Sequence, residues 1–365
     1  MIDVKRIYKI KDDRILQHDD HSAVGGSVQL SHRKVQGALG QGGEYQIRRQ
    51  QRQRRQTAET YKGEISMKIV KVKGGLGNQM FQYAFHRLLQ EQYHCEDVKL
   101  DLKYYGDKGV DDIRLSRLGR MNTRFEAAGD DELRRVCLFR HEGNPLSRAY
   151  RIKIALDAKL NRKYYFENNR AYRDVTKLLD YQYYDGYWQS WRYLEPIAGK
   201  LKKEFTCDTL SDKTRGYMEY FGSRDSVFVG VRRGDYFDNE KLANHYGRTD
   251  VEYYRRAVEY MKQRLTNPVF VFFSNDLPWV KEHMNALVLG LEADSVMHRE
   301  AEDIVDDFEE LFVMRSCRHA IITNSTFNFW GAWLMDNPDK IIAAPRDWFK
   351  DDKPIDIIPD SWVRF

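Results

Sequence analysis

From Met67 onward, short β-rich runs alternate with stretches whose apolar positions recur every three to four residues, which predicts strands and helices in alternation. Lys68 to Lys73 predicts an opening strand. After a tight glycine loop, the stripe Met80, Phe81, Ala84, Phe85, Leu88 and Leu89 predicts a helix, and Val98 to Leu102 the next strand. Residues 103 to 180 read mainly as helices with loops, 181 to 189 as an extended aromatic segment, and 191–205 and 211–222 as helices. A second round of alternation follows, with strands at Val227 to Val231, Val269 to Phe273, Ala320 to Thr323 and Ile341 to Ala344. Its helices start near Val251, Pro278, Ile304 and Thr326. Nearly continuous apolar runs such as VFVGV and VFVFF suit strands buried on both faces of a parallel sheet. The pattern therefore predicts an α/β chain of two doubly wound, Rossmann-like halves with a cleft between them, residues 67–205 and 206–365.

Before Met67 the pattern is absent. Residues 1–66 lack sustained apolar periodicity and end in a Gln/Arg-rich stretch, so they are expected to be a disordered or non-native extension of the fold. Charge sharpens this division: the first 66 residues hold thirteen basic and eight acidic side chains, which accounts for the whole net charge of +5 and leaves the body neutral. A nucleic-acid role would rest on that segment alone, and no nucleic-acid partner is expected for the body. Its functional alternative is a nucleic-acid or membrane-surface arm, so peripheral membrane association stays open. No stretch approaches the roughly 18 consecutive apolar residues of a membrane span, and no signal-peptide core is evident, so the expected location is the cytoplasm. Cys95, Cys137, Cys207 and Cys317 are too scattered for a zinc site and read as reduced, mostly buried residues.

Ligands of open parallel sheets bind beyond the carboxyl ends of the strands, and three polar signatures stand at such ends. RRGDY follows VFVGV, SND follows VFVFF, and NSTF follows AIIT. Arg232 and Arg233 fit either a solvated pair or a grip on a diphosphate, since guanidinium takes two phosphate oxygens in a fixed fork. Asp235 fits a general base or a partner that orients an arginine. Ser274 and Asp276 close the second strand exit. At the third, Asn324, Ser325, Thr326 and Phe327 read as a helix cap, as an anion site at a helix amino terminus, or as a glycosylation sequon, which a core position disfavours. In GGLGNQM, residues Gly75, Gly77, Asn78 and Gln79 would face the cleft. This motif fits a dinucleotide fingerprint only in part, because Met80 stands where glycine or alanine belongs. An NAD-dependent oxidoreductase with Asp101 as ribose ligand is thus a weak alternative. DGYWQS reads as core packing or, through Tyr187 and Trp188, as a sugar platform. No Asp-x-Asp pair occurs, so no metal and no cofactor are expected, and protein donors would carry the charge balance.

Taken together, GGLGNQMFQYAF, DGYWQS, VRRGDY, FFSND, DFEELFVMRSCRHAIITNSTFNFWGAWL and KIIAAPRDWF resemble glycosyltransferase family 11, the α-1,2-fucosyltransferases in their bacterial form, over Met67 to Phe365. The resemblance implies a GT-B-like fold, a GDP-β-L-fucose donor and a terminal β-galactoside acceptor. It also implies inversion to an α-1,2 linkage without a metal. The family's phosphate-gripping arginine of His-x-Arg-Arg-Gly-Asp corresponds to Arg232, but its histidine position is Gly230 here, with His245 a speculative substitute. A non-catalytic nucleotide-sugar-binding or lectin-like protein is the contrasting reading, because it would keep the same phosphate motifs.

Overall fold

A computed structural model describes residues 66–106, 117–139, 147–233, 249–299, 306–351 and 353–365. Two separate sheets, each wholly parallel, carry the chain, as the alternation predicts. The first comprises β1 (Lys68–Lys71), β2 (Val98–Asp101), β3 (Tyr164–Phe166) and β4 (Tyr183–Asp185) in the order β2-β1-β4-β3. Helix α1 (Leu76–Glu91) joins β1 to β2. The helices α2 (Asp130–Val136), α3 (Arg148–Leu160), α4 (Trp191–Leu194), α5 (Ala198–Glu204) and α6 (Asp212–Gly222) follow in turn.

The second sheet has the order β10-β9-β8-β5-β6-β7. Its strands are β5 (Ser226–Val231), β6 (Val269–Ser274), β7 (Val296–His298), β8 (His319–Ile321), β9 (Ile342–Ala344) and β10 (Val363–Arg364). Between them run α7 (Val251–Lys262), α8 (Leu277–His283), α9 (Ala286–Leu289), α10 (Asp307–Ser316) and α11 (Thr326–Trp333). Strands β3, β7 and β10 were not anticipated. Each is two or three residues long, too short for a period-two alternation to register.

Side chains alternate across β5 as a doubly covered strand requires. Phe228 enters a large apolar cluster on one face, while Val227 and Val229 meet Tyr253, Tyr254 and Val258 of α7 on the other. The large cluster does not stop at either sheet. It runs from Val70 and Tyr184 of the first to Val271 and Ala344 of the second, through α1 and α11. At that joint the Phe81 ring lies 4.9 Å from both Phe329 and Trp330. The carboxyl-terminal segment also returns to the first sheet: Asp356 accepts from Tyr172 N at 3.0 Å, and Arg170 pairs with Asp351 at 2.6 Å. The cysteines are unpaired as expected, but only Cys317 is buried; the other three are partly exposed.

Inside the first sheet sits an ionic knot. The fully buried Asp185 carboxylate receives Lys71 Nζ at 3.0 Å, Lys73 Nζ, and Tyr164 OH at 2.6 Å. Burial alone would lift this carboxyl, yet Lys71 and Lys73 hold it well below the usual carboxylate range. Such a group stabilises the fold fully above its unfolded-state pKa, and that contribution is lost progressively as pH falls from there through its depressed folded value. Replacing Asp185 with Asn leaves two ammonium groups without their anion, Lys71 among them at 2% exposure. Asp185→Asn is therefore expected to cost about 3–5 kcal/mol in urea unfolding at neutral pH. A loss below about 1 kcal/mol would show that the knot is not held together by charge.

Candidate active site

The loop leaving β1 is shaped by short-range bonds. Gly74 takes φ +84°, Asn78 N and Gln79 N both donate to Gly75 O, and Tyr105 OH donates to Gly74 O at 2.7 Å. Gln79 spans the loop, donating to Gly74 O while its Oε1 accepts from Arg117 N at 3.0 Å. α1 thus starts at the carboxyl edge of the first sheet. α11 starts at the carboxyl edge of the second.

These two starts touch. A Cβ on Gly77 would lie 2.6 Å from Phe327 N and 2.7 Å from Thr326 Oγ1, so the two backbones approach closer than any side chain permits. Trp330 Nε1 donates to Gly77 O at 2.9 Å. Asn78 Oδ1 accepts from Thr326 Oγ1 at 3.2 Å and from Gln189 Nε2 at 2.8 Å. Three motifs far apart in sequence, GGLGNQ, DGYWQS and NSTF, therefore meet at one side-chain oxygen.

The expected site residues, Asp235 apart, fall at definite places. Gly77, Asn78 and Thr326 form the seam; Gly75 and Gln79 build the loop behind it. Ser325 caps α11 through Asn328 N, which is the capping reading, and the buried Asn324 donates to Trp348 O at 3.1 Å. Phe327 packs against the large cluster. Ser274, Asp276 and Arg233 lock one another: Ser274 Oγ accepts from Asp276 N, and Asp276 caps α8 through Trp279 N. Arg233 meets Asp276 at 3.4 Å and lies 3.6 Å from the Trp279 ring centroid. Arg232 is exposed at the carboxyl end of β5. Asp235 and His245 lie outside the described residues. Asp101 is taken up internally by Tyr183 OH at 2.5 Å and Lys103 N at 2.9 Å, so it does not serve as a ribose ligand in the way the oxidoreductase reading needs.

Gly230 has its own explanation. A Cβ there would fall 2.2 Å from Asn328 Oδ1, so the Asn328 carboxamide fills the volume into which a histidine side chain would grow. The departure from the histidine-bearing motif is thus matched by α11.

The sequence did not single out Arg117, Arg299 or Glu310. Glu310 of α10 is raised to about 7 by burial, opposed by Arg299 and Arg232, so these three groups share one field beside the β5 exit. Arg120 pairs with Asp306 ahead of α10, and burial lowers the Arg117 guanidinium from its ordinary value against the pull of Asp306. Glu310 stands in DFEELF, whose local pattern of acidic and apolar residues carries no signal of its partners across the sheet. Arg232, Arg299 and Glu310 thus form one charged group at the β5 exit, and α11 starts at the carboxyl edge of the same sheet.

Residues 67–363 match the glycosyl transferase family 11 model. The chain belongs to this family. It is 28% identical to an α-1,2-colitosyltransferase of Escherichia coli over 82% of the chain and 99% of that protein. It is 26% identical to the O-antigen biosynthesis glycosyltransferase WbnK of Escherichia coli over 80% of the chain and 98% of that protein. Human galactoside α-(1,2)-fucosyltransferase 1 is 28% identical over 48% of the chain and 50% of its own length. Among solved structures, the chain is similar to an Arabidopsis thaliana FUT1 mutant in complex with GDP, with 12% identity, a TM-score of 0.42, and coverage of 83% of this chain and 77% of that one. No helix among the described residues of this family 11 member is long and apolar enough to cross a membrane.

The seam makes a paired prediction. Gly77→Ala should destabilise the protein by about 1–3 kcal/mol in urea unfolding, because backbone must move to admit the methyl. Gly75→Ala, with nothing within 4 Å of its Cβ position, should stay within about 0.5 kcal/mol of wild type. Equal stability of the two variants would contradict the contact.

Proposed function

We propose that this family 11 member is an inverting transferase that moves L-fucose from GDP-β-L-fucose to the 2-hydroxyl of a terminal galactose. The observation that carries the reading is the exposed Arg232 at the exit of β5, in the field of Glu310 and on the carboxyl edge where α11 meets Gly77. The α-1,2 linkage in the names of its relatives supports the regiochemistry. In this reading the galactose hydroxyl attacks the anomeric carbon opposite the departing GDP through an oxocarbenium-like state. Arg232 and the amino terminus of α11 hold the growing negative charge of the diphosphate. Protein donors take the role that an Asp-x-Asp-bound metal plays elsewhere, so transfer needs no metal.

A second donor is favoured by one finding: the colitosyltransferase aligns over nearly its whole length. Colitose lacks only the 3-hydroxyl of fucose. Incubating the protein with each GDP-sugar and a panel of β-galactosides, with product linkage read by NMR, separates the two donors. GDP release that no galactoside accelerates would instead indicate a binding protein.

Arg232→Lys keeps the charge and removes the planar fork that takes two phosphate oxygens. Charge on the leaving group grows toward the transition state, so kcat should fall on the order of a hundredfold, ~3 kcal/mol, with a smaller loss of GDP-fucose affinity by calorimetry. Arg233→Lys should be milder, since Arg233 is engaged by Asp276 and Trp279. Near-wild-type turnover of Arg232→Lys would move the diphosphate grip elsewhere.

A further inference from the structure

We propose that the turn following β4 is the acceptor platform, with the Tyr187 ring taking the apolar face of a pyranoside and the Glu167 carboxylate and Lys73 ammonium taking its hydroxyls. This rests on the transferase reading above and adds where the acceptor sugar sits.

The turn presents one aromatic ring and buries the next. Trp188 is 1% exposed and stacks on Phe85 with centroids 3.7 Å apart, so for it the core-packing reading holds. Its φ of +57° is uncommon for a bulky residue, and the surroundings must hold it there. Tyr187, one residue earlier, is 43% exposed. Lys73 Nζ stands 4.8 Å from the Tyr187 ring centroid, which puts an N–H donor for a sugar hydroxyl beside an aromatic surface.

Glu167, just beyond β3, fixes the turn. A single oxygen, Oε2, accepts from Tyr187 N at 2.6 Å and from Trp188 N at 3.0 Å. Its other oxygen accepts no hydrogen bond from the described residues, and in the proposal it takes a sugar hydroxyl. The strand order brings the ends of β1, β4 and β3 side by side, and with them Lys73, Tyr187 and Glu167. Two residues beyond Tyr187, Gln189 bonds Asn78, which also holds Thr326. A pyranoside on Tyr187 is thus linked through one side chain to the seam where the donor is proposed to bind.

The groups facing Glu167 give the platform a pH dependence. Burial raises its carboxyl to about 7, against the two amide donors and Lys73, with Asp185 on the raising side. The ionised form is the better acceptor for both amides and a sugar hydroxyl. As pH falls through 7 the group becomes protonated, and the acceptor KM should rise.

The test uses the full chain, GDP-fucose and lactose in steady-state transfer, with methyl β-galactoside binding followed by saturation-transfer NMR. Tyr187→Ala should raise the acceptor KM about tenfold and weaken methyl β-galactoside binding, while GDP affinity by calorimetry stays unchanged. Tyr187→Phe should restore most of the loss. Glu167→Gln should raise the acceptor KM and remove its rise below pH 7. Unchanged acceptor KM and unchanged sugar binding in Tyr187→Ala would overturn the platform. If wild type transfers fucose to no galactoside, the transferase reading fails separately, and loss of methyl β-galactoside binding in Tyr187→Ala still decides the platform.

Discussion

The close approach of Gly77 to the Thr326–Phe327 backbone is the constraint on which the architecture depends. It lets α1 and α11 pack start to start, so that Phe81 reaches Phe329 and Trp330 and one apolar cluster runs through both sheets. The Trp330 bond to Gly77 O and the shared acceptor at Asn78 then fix the rotation of one half on the other. Two helix amino termini and the carboxyl edges of both sheets therefore meet at the contact that closes the fold.

Charge is used in two different ways on the two sheets. Lys71 and Asp185 are turned inward as a buried ion pair, which suits a structural role, while Lys73 joins the same carboxylate from the rim beside Tyr187. At the β5 exit, Arg232 and Arg299 oppose the rise that burial imposes on the Glu310 carboxyl, so there charge is gathered beside a strand end. Arg233, adjacent in sequence to Arg232, belongs to the first kind, since Asp276 and Trp279 hold it.

The apolar periodicity made the alternating architecture legible, because long buried strands and an amphipathic α1 are local patterns. The polar strand exits were legible too, since RRGDY, SND and NSTF stand at turn positions by their spacing alone. Partnership was not. Nothing local says that Asp276 is spent on capping α8 and holding Arg233, that Asn78 is shared by Thr326 and Gln189, or that Asn328 fills the space over Gly230. DGYWQS marks the boundary well: Trp188 went to the core and Tyr187 to the surface, a division set by one left-handed φ and by the Glu167 contacts.

The central proposal is that the nucleotide sugar binds at the seam where the two halves meet. Amide hydrogen exchange of the full chain with and without GDP-fucose tests it most directly. The account predicts that saturating GDP-fucose slows exchange together in the Gly75–Gln79 loop and in the first turn of α11. Protection confined to the second sheet, with the Gly75–Gln79 amides exchanging as in the free protein, would contradict it.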